Sequence, residues 1–220
     1  MRRALRIAAA CAGLLVVTYL LSAHTIAVPR FEEAVLHSPG GGSPRFAAGL
    51  LDTITAWSVT PTVACVWALG WRRGGPLLGC VAAGVILASI GTADLFQHVL
   101  PLVCSGCEDR GFPSGHAAVG TSVMCALLLI GPYRFRDGGA LLASAVMSAV
   151  AALTVIARWH RPSDTVGSAL IAVIYACAAA AFLARCGRAR GGSWWLIWSG
   201  PRVALPGPPK GAVPIGGQNE

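Results

Sequence analysis

The sequence predicts an all-α, polytopic membrane protein built as a six-helix bundle, and three observations carry that expectation. Charge is scarce: 12% of residues are charged and 55% are hydrophobic, whereas a soluble domain carries about 25% charged residues. The charges leave long uncharged runs, and about 20 apolar residues suffice for one helical crossing of a bilayer core. The basic residues sit in small groups between these runs, as topology signals do. The formal net charge of +8 is therefore spread along the chain. A nucleic-acid partner would need a basic patch or stripe, so none is expected.

The runs predict spans at 4–23, 47–70, 76–97, 114–132, 140–159 and 164–184. Each is uncharged over most of its length, with Asp52 and Asp94 near ends and Arg158 closing the fifth. Pro61 lies inside the second, where neighbouring helices tolerate a kink. The first run, with its Arg-rich start and small residues near Ala23 and Ala27, also fits a cleaved signal segment; the other five spans keep their orientation either way.

Charge alternates along the connections. Arg2, Arg3 and Arg6 precede the first run, Arg72 and Arg73 follow the second, Arg134 and Arg136 the fourth, and Arg185, Arg188 and Arg190 the sixth. Placing these groups inside the cell, with Arg202 and Lys210 of the tail, leaves Arg30, Arg45, Arg110, Arg158 and Arg161 outside. The positive-inside rule then expects a multi-pass cell-membrane protein with both termini cytoplasmic.

The segment 24–45, with Pro-Gly-Gly-Gly-Ser-Pro at 39–44, reads as a flexible outer loop. Residues 1–185 form the expected membrane domain. Residues 186–220, rich in Gly and Pro, read as a disordered cytoplasmic tail, with Trp194, Trp195 and Trp198 suited to the headgroup layer. Five of the eight cysteines lie inside apolar runs, where a thiol acts as a small hydrophobe. Cys104 and Cys107 share an outer loop; a local disulfide, two thiols and a zinc site with His98 and His116 are all open there.

Two polar segments fall on the expected outer face. One is Arg110-Gly111-Phe112-Pro113-Ser114-Gly115-His116, entering the fourth span; the other is Arg158-Trp159-His160-Arg161-Pro162-Ser163-Asp164, between the fifth and sixth. Pro113 and Pro162 suit a first helical turn. The backbone amides of Ser114 and Gly115 are then expected to face an anion at a helix N-terminus, with the Ser114 hydroxyl as a further donor. Asp164, one turn after His160, can hold one ring nitrogen and leave the other as a nucleophile. His116 suits protonation of a leaving alkoxide. Arg110, Arg158 and Arg161 run against the inward bias, as partners of an outward anion would, with headgroup attraction the lesser alternative for any single one. Asp94 is a candidate organiser of the site, and Asp52 carries no assigned role.

Pro113-Ser114-Gly115-His116 followed by His160-x-x-x-Asp164 resembles the type-2 phosphatidic acid phosphatase superfamily over residues 47–184. The resemblance implies a six-helix bundle and catalysis without metal or other cofactor. It implies His160 as nucleophile, Asp164 as its orienting partner and His116 as general acid, with Ser114 and the Gly115 amide on the phosphoryl oxygens. By this resemblance the chain is similar to a divergent member. Gln97 stands where the family's first motif has a lysine, and no Arg-Pro follows it. Thr154 stands where the family has an arginine. Arg158, four residues on and on the same helical face, and Arg110 are the candidate replacement cations.

The expected function is hydrolysis of a lipid phosphomonoester or diphosphate on the extracytoplasmic face, with the lipid phosphate and membrane lipids as partners. Losing one preorganised donor costs about 10²–10³ in rate, so a catalytically degenerate lipid-phosphate binder of the same fold is the alternative. A transporter would show inverted repeats and interrupted mid-membrane helices, and the sequence has neither pattern. The lipid and the oligomeric state leave no mark on the sequence.

Overall fold

The computed structural model describes residues 2–24, 27–36, 44–54, 56–103, 111–131 and 136–189. These form eight helices: α1 Arg2–His24, α2 Ala27–Leu36, α3 Pro44–Leu51, α4 Ala56–Gly74, α5 Pro76–Val103, α6 Gly115–Ile130, α7 Arg136–Ile156 and α8 Pro162–Ala189. No strand occurs among the described residues, so the fold is all-α. Arg110, Cys104, Cys107 and the tail from residue 190, with its three tryptophans, lie outside the described residues.

Four helical segments are long and apolar enough to cross a membrane: Arg2–Ala23, Pro76–Leu100, Gly138–Ile156 and Pro162–Gly187. The chain is thus a multi-pass membrane protein. The other two expected spans correspond to α4 and α6. The second expected run is broken: α3 ends at Leu51, a turn covers Asp52 and Thr53, and α4 starts only at Ala56 and ends on Arg72 and Arg73. Helix α6 has 16 residues, a length of about 24 Å against a hydrocarbon core of about 30 Å. It packs against α4, α5, α7 and α8, and so forms the centre of the bundle. Non-helical backbone just before such a helix is tolerated at membrane depth because protein surrounds it.

The core lies in the half of the bundle away from the α6 start. Val66 of α4, Leu78, Ala82 and Ile86 of α5, Ala126 and Leu129 of α6, and Ala172, Ala180 and Leu183 of α8 meet there. Ala82, Ala126 and Ala172 are fully buried, and such small side chains let helix backbones approach closely where lipid provides no hydrophobic drive. Helix α1 runs along α8.

Gly75 alone joins α4 to α5. Its φ of +83° needs a residue without Cβ. Its N–H closes α4 on the Trp71 carbonyl at 2.8 Å, its carbonyl accepts from Leu78 at 3.1 Å, and Pro76 takes the first position of α5. The two helices then cross on Gly70 and Gly79. A Cβ on Gly79 would lie 2.5 Å from the Trp67 carbonyl oxygen and 3.0 Å from the Trp71 nitrogen.

Within the segment 24–45, expected to be a flexible loop, residues 27–36 form α2 and Pro44 opens α3, while the glycine run lies outside the described residues. Helix α3 buries Ala47 and Leu51 against Ala157, beside Leu153 and Ile156 of α7. Helix α2 buries a carboxylate, Glu32, between exposed Phe31 and Glu33. The glycine run masked both elements, since neither is long.

Replacing Gly79 by Ala meets backbone atoms on the facing helix and is expected to destabilise the protein by about 1–3 kcal/mol. Thermal unfolding in detergent measures this; an unchanged melting temperature removes the crossing from the account of stability.

Candidate active site

Ser114 is the N-cap of α6: its backbone is extended (φ −69°, ψ 122°) and its hydroxyl accepts from the Ala117 amide at 3.4 Å. Pro113, joined to Phe112 by a cis peptide bond, therefore precedes the cap and is not in the first turn as expected; Gly115 is the first helical residue. Ser114 is fully buried. Its amide is not free for an anion, because it donates to the Asp164 carbonyl at 3.1 Å. The amides that open α6, Gly115 and His116, have no carbonyl one turn back. A side chain at Gly115 would meet nothing within 4 Å, so this face is open.

The other half of the site begins with the end of α7. Trp159 and His160 donate to the Thr154 carbonyl at 3.1 and 3.4 Å, and Arg158 donates to Val155 at 2.9 Å. This is a left-handed helix stop, in which the residue after the cap has positive φ and is usually glycine. Here that residue is Arg158, at φ 61°. Arg158 is thus exposed and outside the helix, and not on the face of Thr154 as the sequence suggests. Thr154 is fully buried, with its hydroxyl on the Ala151 carbonyl at 2.7 Å.

The stop delivers His160 to the start of α8. Its Nδ1 faces Asp164 Oδ2 at 3.7 Å, beyond hydrogen-bond reach, and is buried without a hydrogen-bond partner. Gly111 closes the same edge: a Cβ there would sit 3.1 Å from the ring's Cε1 and 3.2 Å from Nδ1. Asp164 Oδ2 also accepts from the Arg161 amide at 2.9 Å, a third-position carboxylate reaching back over its own helix start.

Two hydrogen bonds bring the halves together, and a third within α8 ties them into one junction. Besides Ser114 to Asp164, the buried Ser168 hydroxyl spans both carbonyls, 2.6 Å from Ser114 and 2.9 Å from Asp164. Phe112, also buried, lies against Gly167 of α8 and 5.5 Å from the Tyr19 ring of α1. The His116 ring lies 5.2 Å from Trp159 and within electrostatic range of both His160 and Asp52. The two imidazoles thus share one end of the bundle.

Other candidates take different positions. The Gln97 amide donates to the Pro113 carbonyl at 2.5 Å, so it tethers the segment before the cap. Asp94 faces His98 at 3.7 Å, both largely exposed, and is not gathered into the site. The sequence reading missed Ser168, Ser22 and Glu32. Glu32 had one available signal: a helix opening Arg161-Pro162 has no capping oxygen at its N-cap, so an acceptor must come from elsewhere.

Residues 87–188, which hold both polar segments, match the family model of the PAP2 superfamily. Over this segment the chain is similar to the PAP2 superfamily. Members of that family are generally phosphatases. Neither a curated protein nor a solved structure matches the chain.

A left-handed backbone costs an L-residue about 1–2 kcal/mol. Arg158→Gly is therefore expected to raise the unfolding free energy by about 1 kcal/mol, measured by detergent thermal unfolding. A lower melting temperature would mean that the arginine side chain contributes more than the backbone loses.

Proposed function

We propose that the chain is a membrane phosphatase that hydrolyses a phosphomonoester or diphosphate on a lipid. The observation that carries this reading is the shared position of the two imidazoles. His160, its Nδ1 edge closed by Asp164 and Gly111, lies at the same bundle end as His116 and the Ser114-capped start of α6. The PAP2 match supports the reaction class.

In the proposed mechanism, His160 Nε2 attacks phosphorus in line. An N–P bond forms as the P–O bond to the lipid breaks, and His116 gives its proton to the leaving oxygen. Water then attacks the phosphohistidine with His116 as base, and inorganic phosphate leaves as His160 is regenerated. The Ser114 hydroxyl and the opening amides of α6 serve the phosphoryl oxygens, with Arg158 and Arg110 as candidate cations. No metal takes part in these steps. The topology argued from charge puts the reaction on the extracytoplasmic face, with both termini and the tail in the cytoplasm, and the substrate entering from the outer leaflet.

One observation favours a non-catalytic lipid-phosphate binder. The two positions where the resemblance expects cations hold Gln97, engaged with Pro113, and Thr154, buried on its own helix. The reading as an enzyme therefore needs Arg158 or Arg110 to supply the missing charge.

Purified protein in detergent, offered a panel of lipid phosphates with chelator present, is expected to release phosphate. His160→Ala is expected to abolish release, and His116→Ala to lower kcat about 10²–10⁴-fold. Arg158→Gly is expected to lower kcat about 10²–10³-fold if its guanidinium serves the transition state. Release by His160→Ala equal to that of wild type rejects the mechanism. Wild-type binding of a lipid phosphate without turnover supports the binder.

A further inference from the structure

The start of α8 is short of a cap. Its N-cap residue, Arg161, has no side-chain oxygen to accept from the second or third amide, the role that Ser, Thr, Asp or Asn fills at most helix starts. Asp164 reaches back to the Arg161 amide and leaves the amide of Ser163 to find another acceptor. That acceptor is Glu32 of α2, whose Oε1 takes the Ser163 N–H at 2.8 Å from 131 positions away in sequence. Glu32 is 2% exposed. Its other oxygen is buried without a hydrogen-bond partner, so a carboxylate is held in a dry place for the sake of this contact. The Ser163 hydroxyl meanwhile donates to Ser22 of α1 at 3.2 Å. The first turn of α8 is thus held from two sides by α1 and α2.

The same turn carries Asp164, whose Oδ2 faces His160 at 3.7 Å and whose carbonyl holds the α6 start. A shift of the turn moves this carboxylate relative to the imidazole. We infer that Glu32 is a positioning residue for the Asp164–His160 pair, acting as an N-cap supplied to α8 by a distant helix. The inference deepens the phosphatase reading, since that pair is the proposed nucleophile and its partner.

The test combines imidazole ¹⁵N NMR of the detergent-solubilised protein with kinetics. Glu32→Ala is expected to shift the His160 nitrogen signals toward a mixture of tautomers while those of His116 stay in place; Glu32→Gln, which keeps an acceptor oxygen, is expected to retain the wild-type spectrum. Should Glu32→Ala not fold, Glu32→Asp, which keeps the charge and withdraws the oxygen, carries the same expectation. In turnover, Glu32→Ala is expected to lower kcat roughly 10- to 100-fold with KM within about twofold. In an Asp164→Asn background the same change is expected to cost less than about twofold, because the two residues act as one unit. Unaltered His160 signals in Glu32→Ala, equal shifts at His116, or fully additive losses with Asp164→Asn overturn the inference. A wild type that hydrolyses no lipid phosphate overturns the phosphatase reading alone, since the NMR arm needs no turnover.

Discussion

Ser114 N–H meets the Asp164 carbonyl, with the Ser168 hydroxyl bonded to the carbonyls of both residues. This junction joins the starts of two helices that are far apart in sequence, and the remaining geometry of the site depends on it. Each bond is worth only about 1 kcal/mol net. An unpaired group at this depth, however, costs about 1–3 kcal/mol, so the bonds act mainly by making every other docking of the two helices worse. The junction sets the open start of α6 beside His160, and through Trp159 it sets the end of α7 beside His116.

The length of α6 follows from the same constraint. A helix starting from a buried cap inside the bundle cannot span the full hydrocarbon thickness, and α6 is short. Its neighbours make up the difference. Phe112 fills the notch at Gly167 and meets the Tyr19 ring in a tilted contact, and Gln97 satisfies the Pro113 carbonyl. Irregular backbone at that depth is possible only with each polar group so answered. This gives Gln97 a physical role: its amide tethers the Pro113 carbonyl without placing a charge at that depth.

What was legible in the sequence was local. Apolar runs gave the bundle helices, and Pro and Ser near each histidine marked two helix starts, because caps are decided by a few neighbouring residues. What was hidden was tertiary. The Ser114 amide looked free until Asp164 arrived across the bundle, and Thr154 and Arg158 shared a helical face only while α7 was assumed to continue. Its left-handed stop ends at an arginine, where sequence rules look for glycine. Helices α2 and α3 were hidden for a related reason. They are short, they flank a glycine run, and the side chain that anchors α2 is an acid that burial rules place on the surface.

The two helix starts differ in charge, and that difference bears on where an anion can bind. Both present the positive end of a backbone dipole. The start of α8 already faces two carboxylates, Asp164 from its own first turn and Glu32 from α2. The first turn of α6 carries no acid, and its opening glycine faces unfilled space. A phosphoryl group brought to this end of the bundle is therefore repelled from α8 and drawn to α6, which leaves His160, at the α8 start, on its flank. In the proposed mechanism, an anion-accepting helix start beside an anion-excluding one orients the phosphorus toward the imidazole, with Gln97 at the position where the resemblance expects a lysine. On the proposed phosphatase reading, Asp164 and Glu32 thus direct binding as well as hold the start of α8, and a phosphate is kept in place for attack without the cations that the resemblance implies.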